Sequence, residues 1–137
     1  MAFLAVLSLL APTSAPPHDY GPTSPIPACD TAEVDCLIHR TWPWDQWQHV
    51  HDIIFGPTKR CRVGESNGHP DSVGKNGDSR VVGLMQIDEW SWRRKLTEAG
   101  FDWGQWSDPE TNLRMGRWVW ERAGWSQWAC ASRMGWT

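Results

Sequence analysis

The sequence predicts a mainly α (α+β) fold: a helical domain with a small β-hairpin or irregular β region beside a cleft. Three observations carry this. Residues 45–55 and the preceding tryptophan place Trp44, Trp47, Val50/His51 and Ile54 at helical spacing. Asp108-Pro109 is a strong helix start, because the aspartate can cap free N–H groups and proline lacks only an N–H that the first turn leaves unused. Between these segments, Gly64, Gly68, Gly74 and Gly77 punctuate a polar loop, followed by the apolar, partly β-branched run Arg80–Ile87. The glycine-rich part builds turns, not a helix or a long strand, and the apolar run can form a strand or a turn.

Taken in order, residues 1–11 form a short apolar run, too short to span a bilayer. With Thr13-Ser14-Ala15 as a candidate cleavage site, residues 1–15 read as a signal peptide, although no Lys or Arg precedes the run and Pro16 follows the cut. Residues 16–28 are a proline-rich linker. The remaining 29–137 are expected to form the functional domain. Asp30-Thr31-Ala32-Glu33 has the spacing of a capping box, which predicts a helix after Cys29. Pro43 separates it from the helix over 45–55, which Gly56-Pro57 ends. A short helix from Thr58 is expected to carry Glu65 at its C-terminal end. Asp88 caps a helix through Trp90, Trp92 and Leu96, stopped by Gly100. Asp102–Ser107 is a tryptophan-bearing loop. The helix after Asp108 runs to about Ala123, with Leu113, Trp120 and either Gly116 or Arg117 on its inner face, and Gly124 ends it. Ser126 is expected to cap a last short helix through Trp128 and Cys130.

The 137 residues suit one domain with a self-sufficient core. Net charge is −3, and all thirteen Lys and Arg fall from Arg40 onward, against twelve acids there, leaving that region at +1. So small a charge argues against a nucleic-acid partner. Twelve tryptophans are far more than a domain of this size normally carries. Most are expected in the core, and the others can line a cleft, where an indole face stacks on a sugar. The four cysteines, Cys29, Cys36, Cys61 and Cys130, lack metal-ligand spacing. They read as two disulfides in an oxidising compartment, with three pairings open. His49 and His51 lie two apart and point to different faces of a helix, so no metal site is expected from them. No cofactor is implied.

Chemistry concentrates in residues 61–88. A lone Glu65 between glycine-rich turns and an apolar segment suggests a carboxyl at the lip of a cleft. Burial against apolar neighbours raises a carboxyl pKa, which lets the group donate a proton near neutral pH. Glu65-Ser66, the glycine-rich loop with Asn76-Gly77-Asp78-Ser79, and Gly83-Leu84-Met85-Gln86-Ile87 together resemble the signature of the lysozyme-like superfamily. The likeness is to soluble lytic transglycosylases, goose-type lysozymes and lysozyme-like domains of phage and bacterial secreted proteins. It covers residues 58–130. Asp108-Pro109, Asn112-Leu113 and Gly124-Trp125-Ser126-Gln127-Trp128 are similar to the tail of such domains.

The resemblance implies a peptidoglycan-cleaving glycosidase, a muramidase or lytic transglycosylase, acting on the β-1,4 bond between N-acetylmuramic acid and N-acetylglucosamine. Glu65 would be its general acid. A transglycosylase needs one carboxyl, because the sugar's own 6-hydroxyl attacks. An inverting hydrolase needs a second, about 6.5–9.5 Å away, to activate water. Asp78 and Asp88 are the candidates, and goose-type lysozymes look similar at both places. The residues themselves allow plainer roles, a turn former for Asp78 and a helix cap for Asp88. Gln86 is expected to pair with a sugar amide or hydroxyl, Ser66 to hydrogen-bond near Glu65, and Met85, Trp90, Trp103 or Trp106 to wall the cleft. The resemblance also favours a Cys61–Cys130 disulfide, which leaves Cys29–Cys36. One departure is the absence of the Ala-Tyr-Asn-Ala-Gly-like segment of transglycosylases. The chain ends Ala129-Cys130-Ala131-Ser132 and its one tyrosine, Tyr20, lies in the linker. The expected partner is peptidoglycan or a related N-acetylglucosamine polymer, met by a monomer that is secreted or virion-associated and has no stable membrane span. A chitinase or chitosanase, and an inactive wall-binding or structural module, are the alternatives.

Overall fold

A computed structural model describes Cys29, residues 33–56 and residues 65–136. The expected signal peptide (1–15), linker (16–28), helix from Thr58 and Cys61 lie outside the described residues.

Among the described residues five helices accompany one three-stranded antiparallel sheet. The helices are α1 (Val34–Thr41), α2 (Trp47–Phe55), α3 (Glu89–Glu98), α4 (Pro109–Ala123) and α5 (Ala129–Met134), and the strands are β1 (Val73–Asn76), β2 (Ser79–Val82) and β3 (Ile87–Asp88). The sheet packs against α3 and α4. Short 3₁₀ turns at Trp44–Gln46, Trp103–Gln105 and Trp125–Gln127 lead into or out of the helices. The mainly helical class with a small hairpin is as the sequence predicts.

The local signals that hold are those with a short side chain beside the backbone it must satisfy. Asp88 accepts from Ser91 N–H and starts α3, and Asp108 accepts from Thr111 N–H and starts α4, with Pro109 in first place. In the hairpin, Val73 faces Val82 and Asn76 faces Ser79, so Gly77-Asp78 is a two-residue loop. Gly77 has φ +60, which the first position of such a loop favours.

Two expected caps are not the observed ones. The N-cap of α1 is Glu33, without a side-chain cap bond, while residues 30–32 of the supposed box lie outside the described residues. Ser126 falls inside a 3₁₀ turn and donates to Ala123 O, and the extended Trp128 precedes α5 instead. A serine can close the turn behind it as well as cap the helix ahead, and only the backbone path decides.

Helix α4 is the spine. Its inner face buries Asn112, Leu113, Met115, Gly116 and Val119. Trp42, wholly buried after α1, donates its indole N–H to Leu113 O at 3.0 Å, and Arg117 donates to Thr41 O at 3.1 Å. Trp42 stacks on Trp125 with ring centres 5.5 Å apart, and Trp120, Trp128 and Trp136 close round Trp125. Ten of the twelve tryptophans are buried or half-buried, so packing is their main use; the exposed ones are Trp44 and Trp90.

The sheet meets α4 through one buried amide. Asn112 accepts from Met85 N–H at 2.8 Å and donates to Val82 O and Trp106 O at 3.2 and 3.0 Å. The turn from Gly83 to Gln86 is thereby pinned to the spine. Gly83 has φ +78, and a Cβ there would overlap the Asn112 amide, so a glycine is required on two counts. Cys29 and Cys36 form a disulfide, and Cys130 is also disulfide-bonded. Its expected partner, Cys61, lies outside the described residues. Among the described residues no helix is long and apolar enough to cross a membrane.

Candidate active site

Glu65 is held by the end of α2. A helix leaves its last carbonyls open, and this segment closes two of them. Glu65 N–H donates to Ile53 O at 2.7 Å and Asn67 N–H to Ile54 O at 2.9 Å. Gly68, at φ +78, lies against the Phe55 ring, where any Cβ would collide. The carboxyl then reaches the first turn of α5. Its Oε1 accepts the Cys130 backbone N–H at 3.2 Å, a donor that the first turn of a helix leaves unpaired.

Burial pushes the Glu65 pKa above the ordinary 4.5, and the Cys130 N–H and the charge of Arg133 only partly oppose it. Among the described residues Glu65 forms no ion pair. It is therefore a carboxyl biased toward its protonated form, half-buried and reachable from solvent. Ser66 beside it is buried at 6% exposure, and its hydroxyl has no hydrogen-bond partner among the described residues.

From Glu65 the chain steps to the sheet by successive turns. His69 N–H donates to Ser66 O, Ser72 N–H to His69 O, and Gly83 N–H to Ser72 O. Gln86 sits at the end of that path with φ +47, an unfavourable conformation for a glutamine. Its side chain offsets the strain by donating Nε2 to Ser72 O and Gly83 O at 3.0 and 2.9 Å. That amide nitrogen, expected to meet a sugar, is committed to the protein's own backbone. Gln86 nevertheless lines a small cavity of about 70 Å³ with Asn76, Asp88, Ser91, Gln127 and Trp128.

Asp88 is densely solvated by the protein. Ser79 Oγ and Ser91 N–H bond Oδ1 at 2.8 and 3.0 Å, and Asn76 Nδ2 bonds Oδ2 at 2.8 Å. Burial pushes its pKa up, but these donors outweigh that and hold it below the usual carboxylate value. Asp78 is exposed in the hairpin loop.

The other expected wall residues divide. Met85 is wholly buried, its side chain laid against Gly116, where a Cβ would come within 2.8 Å of Met85 Cγ. It thus belongs to the core instead of a cleft wall. Trp103 is buried and donates its indole N–H to Glu89 at 3.1 Å, and Trp106 lies beneath the Arg80 guanidinium at 5.5 Å. Both serve a knot in which Glu89 also binds Arg80 and Arg93. Trp90 is 79% exposed on the outer face of α3.

One segment links Glu65 to the Gln86 cavity. Trp128 walls the cavity and donates its indole N–H to Met85 O at 2.6 Å; two residues later Cys130 N–H meets Glu65. The sequence reading missed Trp128 and Asn112 as organising residues. The available signal was an asparagine beside Leu113 on the apolar face of α4, since a polar group there has to be satisfied from another element.

Among the described residues no group of three or more His, Cys, Asp and Glu could hold a metal ion. Comparison of the chain with protein-family models, curated proteins and solved structures found no match.

Proposed function

We propose that the chain is a peptidoglycan-cleaving glycosidase of lysozyme-like type, with Glu65 as general acid on the bond between N-acetylmuramic acid and N-acetylglucosamine. The observation that carries the reading is the placement of the Glu65 carboxyl: half-buried, bonded to the Cys130 N–H, shifted by burial above its ordinary pKa, and in no ion pair among the described residues. A glycosidic oxygen leaves only when protonated, and a carboxyl of raised pKa is the group that does this near neutral pH.

The state of Asp88 favours the single-carboxyl route. A carboxylate with three donors and a lowered pKa is a weak base and poorly placed to take a proton from water. In that route Glu65 gives its proton to the departing N-acetylglucosamine oxygen. The 6-hydroxyl of the muramic acid then closes on C1 and returns a proton to Glu65, leaving a 1,6-anhydro end. The Cys29–Cys36 disulfide suits an oxidising, extracytoplasmic or virion setting.

The test is digestion of purified peptidoglycan by the wild-type chain and by Glu65→Gln, read by mass spectrometry. Products one water lighter than reducing ends are expected from the wild type, and none from the variant. Reducing ends of full mass would instead point to hydrolysis, and cleavage by Glu65→Gln at the wild-type rate would overturn the assignment. Chitin oligomers cleaved in preference to peptidoglycan would move the substrate to chitin.

A further inference from the structure

Helix α3 has two unlike sides. Trp92 and Leu96 are buried. Trp90, Arg93, Arg94 and Thr97 stand at i, i+3, i+4 and i+7, which puts them on one stripe of the helix, and Trp90 points about 200° away from Trp92. This outward stripe, together with Glu89 and Glu98, lines a shallow groove of about 490 Å³. Trp90 is 79% exposed, the most exposed large apolar side chain among the described residues. Its indole has no hydrogen bond, ring contact or cation over it among them. The Thr97 hydroxyl is spent on Arg93 O at 2.8 Å, so the polarity of the groove comes from its charged ends.

Cations outnumber anions around that indole. Glu89 takes Arg80 through two bonds at 2.8 and 3.2 Å, one Nη1 of Arg93 at 3.1 Å and the Trp103 indole at 3.1 Å. One carboxylate therefore answers two guanidiniums, and most of the five donors of Arg93 stay open. Arg94, 86% exposed at its side chain, lies 3.6 Å from Glu98, too far for a hydrogen bond and worth little in water. Three guanidiniums against two carboxylates leave one positive charge beside an open aromatic face.

We infer that the outer stripe of α3 grips an uncleaved, peptide-bearing strand of the wall polymer, with the Trp90 indole on a sugar ring and the Arg93 and Arg94 guanidiniums on stem-peptide carboxylates. The choice of occupant rests on the proposed glycosidase function and on this charge complementarity. A pyranose has an apolar C–H face that an indole covers, and a guanidinium fork matches a carboxylate. A lipid surface asks for a wider apolar face or a larger excess of cations, and Glu89 and Glu98 would oppose anionic headgroups. The stripe is not an arm of the cleavage site. Ser91, the next residue, lines the Gln86 cavity, and successive helix positions point about 100° apart, so Trp90 lies round the helix from it. A strand held there keeps the domain on an insoluble substrate while the catalytic carboxyl exchanges bonds.

The experiment uses the full chain carrying Glu65→Gln, so that retention is read without turnover. It is sedimented with purified walls stripped of secondary polymers and, separately, with insoluble chitin. Trp90→Ala should weaken retention on walls about ten-fold, the usual loss when a contact tryptophan is truncated. Arg94→Glu should weaken it roughly three-fold at low salt and less at high salt, with no loss on chitin, which carries no carboxylate. Both positions are on the surface, so urea midpoints should stay close to that of the parent chain. Retention on walls that is absent, or unchanged in either variant, would overturn the inference, as would an Arg94→Glu loss as large on chitin as on walls. Anionic vesicles bound in preference to walls would overturn it too, and so would a dimer of the parent chain that Trp90→Ala abolishes. The product masses that test Glu65 are read on the wild-type digest, so either reading can fail alone.

Discussion

Replacing Asn112 by alanine should cost far more than its size suggests. The side chain is wholly buried and holds three partners at once: Met85 N–H, Val82 O and Trp106 O. Truncation leaves one donor and two acceptors facing a methyl group. Each orphaned buried group costs about 1–3 kcal/mol. Some relief comes from shifts of the Gly83–Gln86 turn, so the net loss should be roughly 3–5 kcal/mol, the range reserved for broken buried networks. Urea unfolding is the assay. With a slope of about 1–3 kcal/mol per molar, the midpoint should fall by at least about 1 M, with the slope unchanged. Hydrogen exchange should show the Met85 amide losing its protection while those within α4 keep theirs relative to global stability. A loss below about 1 kcal/mol would refute the reasoning, since it would mean that water or a rearranged backbone satisfies all three groups.

Glu65→Gln should stabilise the protein at neutral pH. The folded-state pKa is raised above the ordinary 4.5, so the native state binds more protons than the unfolded one between the two values. Wild-type stability therefore falls as pH rises through that window and stays lower above it, and the advantage of the variant should vanish below about pH 4.5 in thermal scans. Asp88→Ala should cost about 1–2 kcal/mol at neutral pH through the lost α3 cap. Because the folded pKa of Asp88 is depressed, that difference should shrink only as pH falls below 3.8 through the lower folded value, as urea unfolding at several pH values would show. On the single-carboxyl route Asp88→Asn should retain most wall-cleaving activity in a turbidity assay. Replacing both Cys29 and Cys36 by serine should cost about 2.5 kcal/mol from chain entropy, given a separation of seven residues, measurable as a lowered denaturation midpoint.

What the sequence made legible was its short-range grammar. Asp88, Asp108-Pro109, Gly77-Asp78 and Gly124 each announce a structure that neighbouring backbone groups demand, so α3, α4 and the turn at Gly77-Asp78 could be read directly, while the sequence left a hairpin and an irregular β region both open. The same grammar misled at Ser126, where the serine hydroxyl serves the turn behind it. Less legible was which face of a compact segment looks inward. Gly83-Leu84-Met85-Gln86-Ile87 reads as one unit, yet Met85 turns into α4 and the Gln86 amide is spent on carbonyls of the turns before it. Those directions are set by Asn112 and Trp128, 27 and 43 residues from Met85. Trp90 and Trp103 show the same limit. Both carry the aromatic surface expected of a cleft wall, but a helix turns one outward and the half-buried Glu89 carboxylate claims the other.

The most direct measurement is the titration of Glu65 itself, by NMR of the carboxyl in the full chain, set beside the pH dependence of peptidoglycan cleavage. The expected result is a Glu65 carboxyl that loses its proton above 4.5, with cleavage declining as pH rises through the same point. A carboxyl that ionises at or below 4.5, with cleavage undiminished through its titration, would contradict the account.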